Sequence, residues 1–344
     1  MNNFFDLKKE QKQLIITQIS NKMGLPVQAI EKDLWVTVIL QLVFTLPFAD
    51  KLIFKGGTSL SKVWNLIKRF SEDIDLAINR TVFDLEGDLT KKQIKNLRKK
   101  ASLFVRDDVC NALKDKVMKT KLNNFCEIKA EDNGEGNNTY PEPRKIHIYY
   151  KSLFDGRIPY LNSEVLLEIG SRSLIEPTKV TKIKSLISSN FSIETSIVNS
   201  DVITAVPQKT FLEKSFLLHE LFSTNRIVDA NRKSRHLYDL ERMMDEDFAK
   251  KAIKDDVLWN TICHHRKVFT SVKDIDYSLD IRDNICLVPP VGVMTEWKND
   301  YENMRKTMIY GDSLSFEDLI ERITILGDLF KNREKSKRNG AKLS

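Results

Sequence analysis

The chain has 344 residues, 41% of them hydrophobic and 30% charged, with a net charge of +7. That length supports two lobes with sizeable cores, and no apolar run approaches the roughly 20 residues of a membrane span. Charges at Asp6, Lys8, Lys9 and Glu10 interrupt any secretory signal pattern, so a cytoplasmic protein with no membrane partner is expected. Cys110, Cys126, Cys263 and Cys286 are scattered without C-x-x-C spacing, which argues against structural zinc and a disulfide framework and for buried thiols. His264 and His265 follow Cys263, but adjacent positions on a helix diverge, so they read as ordinary residues.

Two helices are expected at Asp6–Lys22 and Pro26–Phe44, the second with Pro26 in its first turn. An apolar strand at Leu52–Phe54 runs into Gly56 and Gly57. A short amphipathic helix starting near Thr58 follows, with Leu60, Val63, Trp64 and Ile67 at i, i+3, i+4 and i+7. The next segment alternates like a strand. Side chains at i and i+2 share a face, so Asp73 and Asp75 point one way and Ile74, Leu76 and Ile78 the other, with Ser71 on the aspartate side. Residues Thr90–Lys119 read as helical, and Lys91–Lys100 holds six Lys/Arg in ten residues, read as a solvated helix face. Strands at Asn124–Ala130 and Lys145–Lys151 form a hairpin around a polar turn at 131–138. A further strand, Glu164–Gly170, puts Glu168 opposite Val165, Leu167 and Ile169.

A boundary falls near Asp201–Gln208, before Pro207 opens another helix, and the pattern is mostly helical to about Lys331. Three regions are therefore expected: 1–204 with N-terminal helices and a sheet lobe, 205–330 helical, and 331–344 a basic disordered tail. This order is that of an α+β protein with a mixed sheet. On the helix Pro207–Phe222, Phe211, Leu218, Leu221 and Phe222 form a stripe that contains Lys214, with Glu213 and Glu220 opposite. A lysine in such a stripe packs its stem and sends its ammonium to a partner, either a carboxylate or a triphosphate. Arg235 and Asp239 are spaced i, i+4, which a surface salt bridge explains. Arg232–Arg235 forms a second basic cluster. The tail carries six Lys/Arg and one Glu, so +5 of the net charge lies there and +2 in the body.

Paired carboxylates beside bare backbone amides suit metal-assisted transfer of a phosphate-containing group. Mg²⁺ prefers carboxylate and phosphate oxygens, and Asp73 and Asp75 on one strand could hold two ions about 4 Å apart. Gly56, Gly57 and Thr58 would bring N–H groups to phosphate oxygens at a helix start, and Ser71 could donate to a phosphate. Taken singly, Asp-x-Asp and Gly-Gly are commonplace; the strand–glycines–helix–strand unit is what makes them specific.

Gly56-Gly57-Thr58-x-Leu60, a short helix and Arg69-Phe70-Ser71-x-Asp73-x-Asp75-Leu76 resemble motif I of the AbiEii-like nucleotidyltransferases. These are toxins of type IV toxin–antitoxin and abortive-infection systems in the DNA polymerase β-like superfamily. Ile30–Val36, Trp297–Met304 and Ser315–Leu319 are similar to flanking helices of that family. Fifteen residues separate Gly57 from Asp73, more than in compact superfamily members but as in AbiEii-like proteins. The resemblance implies a polymerase β-like fold, a Mg²⁺ (or Mn²⁺) cofactor, an NTP substrate and a growth-inhibiting activity with the tRNA 3′ end as acceptor. It also implies a cognate antitoxin that forms no tight complex. By the same resemblance Glu168 is the third metal and catalytic acid, Lys214 contacts nucleotide, and Asp239 in Arg235-x-x-x-Asp239-Leu240 is a motif acid needed for activity. A solvent-facing glutamate is the competing reading of Glu168. Transfer to a protein or small molecule, and a non-catalytic nucleotide- or RNA-binding module, are the competing functions; intact Asp73, Asp75 and Lys214 speak against the last.

Overall fold

The computed structural model describes residues 3–71, 73–132, 140–156, 163–191, 193–195, 197–198, 200–224 and 229–333. Most of the expected polar turn at 131–138, and the basic tail beyond Arg333, lie outside the described residues. The chain divides into two compact units. One comprises Met1–Asn65 and Phe70–Ala205; the other comprises Leu66–Arg69 and Val206–Ser344.

The first unit opens with α1 (Lys9–Met23), stopped by Gly24 in the left-handed conformation (φ 66°). Next is α2 (Val27–Val43), with Pro26 as its N-cap rather than inside its first turn. α2 is buried on almost every side, including Glu31 and Lys32. The Glu31 carboxylate accepts hydrogen bonds from Ser152 Oγ (2.6 Å) and the Leu153 N–H (2.7 Å). β1 (Leu52–Lys55) runs into α3 (Gly56–Lys62), and β2 (Asp73–Ile78) follows. α4 (Lys91–Phe104) starts at a Thr90/Gln93 capping box and passes through a π-helical turn at Val105–Val109 into α5 (Cys110–Lys119). β3 (Cys126–Ala130) and β4 (Arg144–Tyr150) pair as the expected hairpin, and β5 (Glu164–Gly170) has the expected bounds.

β6 (Thr178–Thr181), α6 (Leu186–Asn190) and β7 (Val202–Ala205) are too short for periodicity to reveal. The seven strands form one sheet in the order β3-β4-β5-β2-β1-β7-β6. β2 pairs parallel with β5, and β1 parallel with β7; the other neighbours are antiparallel. The architecture is thus α+β with a mixed sheet.

The helix expected to reach Ile67 stops at Lys62. Asn65 is left-handed (φ 51°), and the Trp64 indole N–H donates to the Ala205 carbonyl (3.1 Å). Ile67 belongs to the other unit.

The second unit is built on α7 (Pro207–Phe222), with Pro207 in its first turn. α8 (Arg235–Met244), α9 (Asp247–Ile253), α10 (Asp256–Phe269), α11 (Met294–Thr307) and α12 (Phe316–Lys331) complete it. Its core is aromatic: Phe216 stacks on Trp259 with centroids 4.2 Å apart, and Phe222 meets Trp297 edge-on at 4.8 Å. Asp300 on α11 accepts from the backbone N–H groups of Arg232 (2.7 Å) and Ser234 (3.0 Å), fixing the start of α8. α7 is buried on more than one stripe. Glu220, expected on the solvent side, is buried and paired with Arg266 (Nε at 2.6 Å) and the Tyr277 hydroxyl (2.6 Å). The expected tail boundary at residue 331 also moves. Lys331 ends α12, and the Arg333 guanidinium pairs with Asp280 (2.6 Å) and Asp283 (2.9 Å). Among the described residues no helix is long and apolar enough to cross a membrane. Cys110, Cys126 and Cys263 are buried thiols, and Cys286 is half-buried.

Candidate functional site

β2 places Asp73 and Asp75 half-buried on one face, while Ile74, Leu76 and Ile78 are buried on the other. Residues paired across strands share a face. Asp75 is opposite Glu168 on β5, and Glu168 is opposite Lys145 on β4. Asp73 is opposite Leu166, which is opposite His147. The parallel β2–β5 pairing thus brings Glu168 beside the two aspartates from more than 90 residues away in sequence. Its carboxylate is already engaged, with Lys145 Nζ 3.3 Å from Oε1. His147 Nδ1 likewise contacts the Glu164 carboxylate. Beyond Asp75 this face is closed by an apolar cluster of Ile53, Ala77 and Ala205, against which Ile175 and Ile203 pack.

Gly56 explains its own identity. Its φ is +78°, and a Cβ there would lie 2.1 Å from Asp75 Oδ2. Only glycine adopts this backbone readily and leaves room for the carboxylate. Gly57, Thr58 and Ser59 are buried at the start of α3. The Thr58 hydroxyl bonds to Ser71 Oγ (2.8 Å) and donates to the Asp73 carbonyl. Thr58 therefore ties α3 to the start of β2, and what it has left for a phosphate is its backbone N–H. Ser71 lies before β2, not on it, with its hydroxyl against Thr58.

Among the described residues no three His, Cys, Asp or Glu side chains form a ready-made metal cage. Mg²⁺ does not need one: it binds through one or two carboxylates and completes its shell with water and substrate phosphates. The Asp73–Asp75 pair fits that donor set.

The second unit holds a buried charge cluster. Asp239 on α8 is 0% exposed, Arg69 2% and Lys214 7%. Arg69 grips Asp239 with two hydrogen bonds, Nε to Oδ1 (2.6 Å) and Nη2 to Oδ2 (2.8 Å). Lys214 Nζ lies 2.9 Å from Asp239 Oδ2 and donates to His236 Nδ1 at 3.2 Å. Asp239 is therefore paired with Arg69 and Lys214 and not, as the i, i+4 spacing suggested, with Arg235. The segment carrying Arg69 is fixed in this unit. The Lys68 N–H donates to the Tyr238 hydroxyl (3.2 Å), the Tyr310 N–H donates to the Lys68 carbonyl (2.9 Å), and Arg69 forms a β-bridge with Ile309.

Burial pushes the Asp239 carboxyl up, but Arg69 and Lys214 outweigh it and hold it well below the usual carboxylate range. Burial lowers Lys214, and Asp239 only partly restores it. Burial, with Lys214 and Arg235 beside it, keeps His236 neutral, consistent with Nδ1 as an acceptor. An ammonium has three donors. Two are engaged here, and the third meets no acceptor among the described residues. Arg69 had no role assigned from sequence; the one signal was its place in the Arg-Phe-Ser-x-Asp-x-Asp motif.

A family described as nucleotidyl transferase AbiEii toxin, type IV TA system, matches residues 39–322. Among solved structures, the nucleotidyltransferase toxin MenT4 from Mycobacterium tuberculosis is similar over 97% of this chain and 98% of its own, at 14% identity and a TM-score of 0.49. No curated protein sequence matches. The family match runs from α2 into α12 and takes in both units, so the chain belongs to the AbiEii family of nucleotidyltransferase toxins of type IV toxin–antitoxin systems.

Proposed function

We propose that this nucleotidyltransferase moves NMP from an NTP onto an RNA acceptor, the 3′ end of a tRNA, in a Mg²⁺-dependent reaction that halts growth and serves phage defence. The observation that supports this most is the Asp73–Asp75 pair on one face of β2, with Gly56 stripped of a Cβ against the Asp75 carboxylate. Asp73 and Asp75 would hold the metal, with Glu168 beside them in register. Mg²⁺ or Mn²⁺ bound there supplies positive charge to the triphosphate and lowers the pKa of an attacking hydroxyl.

The other roles belong to the chain itself. Gly56, Gly57 and Thr58 present backbone N–H groups to phosphate oxygens. Thr58 and Ser71 hold the start of β2, and so the spacing of the aspartates. Lys214 offers its remaining N–H to a nucleotide phosphate as a point charge. Asp239, Arg69 and His236 position that lysine. Glu168 can take the proton of the acceptor hydroxyl once it parts from Lys145. The protein would act in the cytoplasm, countered by a cognate antitoxin without a tight complex.

The test is incubation with each labelled NTP, Mg²⁺ and total RNA, alongside EDTA and an Asp73→Ala control. Label in the tRNA band that depends on metal and on Asp73 is the expected result. Label in protein or small molecules with none in RNA would overturn the acceptor.

A further inference from the structure

α4 packs inward through Leu97, Ala101 and Ser102. Its outer surface is Lys91, Lys92, Lys95, Arg98, Lys99 and Lys100, every one of them exposed. The helix Lys91–Phe104 contains no acidic residue. None of the six cations meets a carboxylate among the described residues. Arg98 reaches only the Tyr140 carbonyl (3.4 Å), and Lys99 lies over the Tyr140 ring, 5.3 Å from its centroid. A helix face that serves only solubility usually mixes signs, because like charges three or four residues apart destabilise it. Lys95 alone has Lys91, Lys92, Arg98 and Lys99 at those spacings.

The charge is also segregated. Of the net +7, residues 331–344 carry +5; of the +2 left, α4 supplies +6, so everything else sums to −4. α4 is anchored within the catalytic unit. Arg144 on β4 donates to Ser102 Oγ at 3.2 Å, and the next residue, Lys145, lies in the row that holds Glu168 and Asp75. The cationic helix thus backs the same stretch of sheet from the opposite face.

We propose that the exposed face of α4 docks the phosphate backbone of the acceptor RNA, away from the nucleotide that receives NMP. The inference rests on the RNA-acceptor reading above and names the surface that would hold the acceptor. The complementarity is of charge and of length. Six cations spread over ten residues of helix span roughly 15 Å, and a nucleic-acid duplex carries one phosphate charge per about 1.7 Å of axis. An acceptor only a few nucleotides long has no backbone to place there.

The test replaces all six by glutamine (Lys91→Gln, Lys92→Gln, Lys95→Gln, Arg98→Gln, Lys99→Gln and Lys100→Gln). Glutamine keeps helix propensity, and loss of like-charge repulsion leaves Tm unchanged or higher. Binding of full-length tRNA is measured against salt, and transfer is compared on full-length tRNA and on a short 3′ oligonucleotide. The variant is expected to lose about 0.7 to 0.9 from the log–log salt slope per phosphate contact removed. Its KM for tRNA should rise about tenfold or more near 0.15 M salt, with kcat, NTP affinity and transfer to the oligonucleotide unchanged. If wild type labels tRNA but the variant keeps its slope and KM, the docking surface is overturned while the acceptor reading stands. If wild type labels no RNA, the acceptor reading fails and this inference with it. Loss of binding to phosphatidylserine vesicles, with tRNA binding retained, would make the face a membrane contact and overturn the proposal.

Discussion

Asp73 and Asp75 are half-buried neighbours on one strand face, and their mutual repulsion in the absence of metal costs stability. Asp73→Ala and Asp75→Ala should each reduce transfer to background while the apo protein melts at the same temperature or higher, as read by gel transfer assays and thermal scans. Gly56→Ala should behave differently. With φ at +78° and Asp75 Oδ2 2.1 Å from the added methyl, it displaces the carboxylate or the backbone, so both transfer and Tm should fall. The buried cluster makes a pH-resolved prediction. Asp239 has a depressed folded pKa, so its stabilisation is present above the ordinary carboxylate pKa of about 4 and fades as pH falls towards the lowered folded value. Asp239→Asn leaves Arg69 and Lys214 buried without their counter-charge and should cost about 3–5 kcal/mol in denaturant unfolding. It also removes what holds Lys214 charged against burial and Arg69. NTP affinity of the variant should therefore decline with rising pH earlier than in wild type. Parallel Kd–pH curves for the two proteins would make Asp239 a purely structural acid.

α3 shows how an element borrows its stability. Seven residues make too short a helix to persist alone, and Gly56 and Gly57 lower its propensity further. Burial of Thr58, Ser59 and Leu60 and the Thr58 hydroxyl on the Asp73 carbonyl supply what local sequence does not. Thr58→Val keeps the shape but removes the hydrogen bond that ties α3 to the Asp73 carbonyl, so about 0.5–1.5 kcal/mol of stability should be lost, with transfer reduced because β2 no longer starts where the aspartates need it. Thr58→Ser, which keeps the hydroxyl, should restore both in the same assays. On β5, the Lys145–Glu168 contact is half-exposed at 3.3 Å and contributes little to stability. Lys145→Gln should leave the unfolding free energy, read by denaturant titration, within about 0.5 kcal/mol of wild type.

Across the whole chain, charge is concentrated at α4 and at the C-terminus, with the remainder acidic. The basic C-terminal segment is not uniform, because Arg333 is tied to Asp280 and Asp283 while α12 runs to Lys331. Two truncations separate these roles. Ending the chain after Arg333 should leave Tm and transfer to a short oligonucleotide intact and make the salt dependence of long-RNA binding shallower. Ending it after Phe330 should in addition lower Tm, since Asp283 and Asp280 lose the Arg333 guanidinium, Asp280 keeping its pair with Arg282. An unchanged salt slope in the first truncation would leave RNA binding to the rest of the chain, α4 first.

Alternation at Asp73–Ile78 and Glu164–Gly170 and the proline that opens α7 were legible from sequence, because each reports on one element's own geometry. So was the pairing of two carboxylates on a strand, which follows from a period of two and needs no partner. The fate of Glu220 was not legible: helical period marks the apolar stripe but cannot tell that Arg266 and Tyr277 cover another side of α7. Neither was the end of α3 at Lys62, where the chain turns through Asn65 to join another unit. The strand order that sets Glu168 beside Asp75, and the meeting of Arg69 with Asp239 across 170 residues, are contacts between distant parts of the chain. Local propensity carries no term for such pairs. The first is set by which strands pair, and the second by burial that takes Arg69, Lys214 and Asp239 out of water together, where opposite charges offset the loss of solvent.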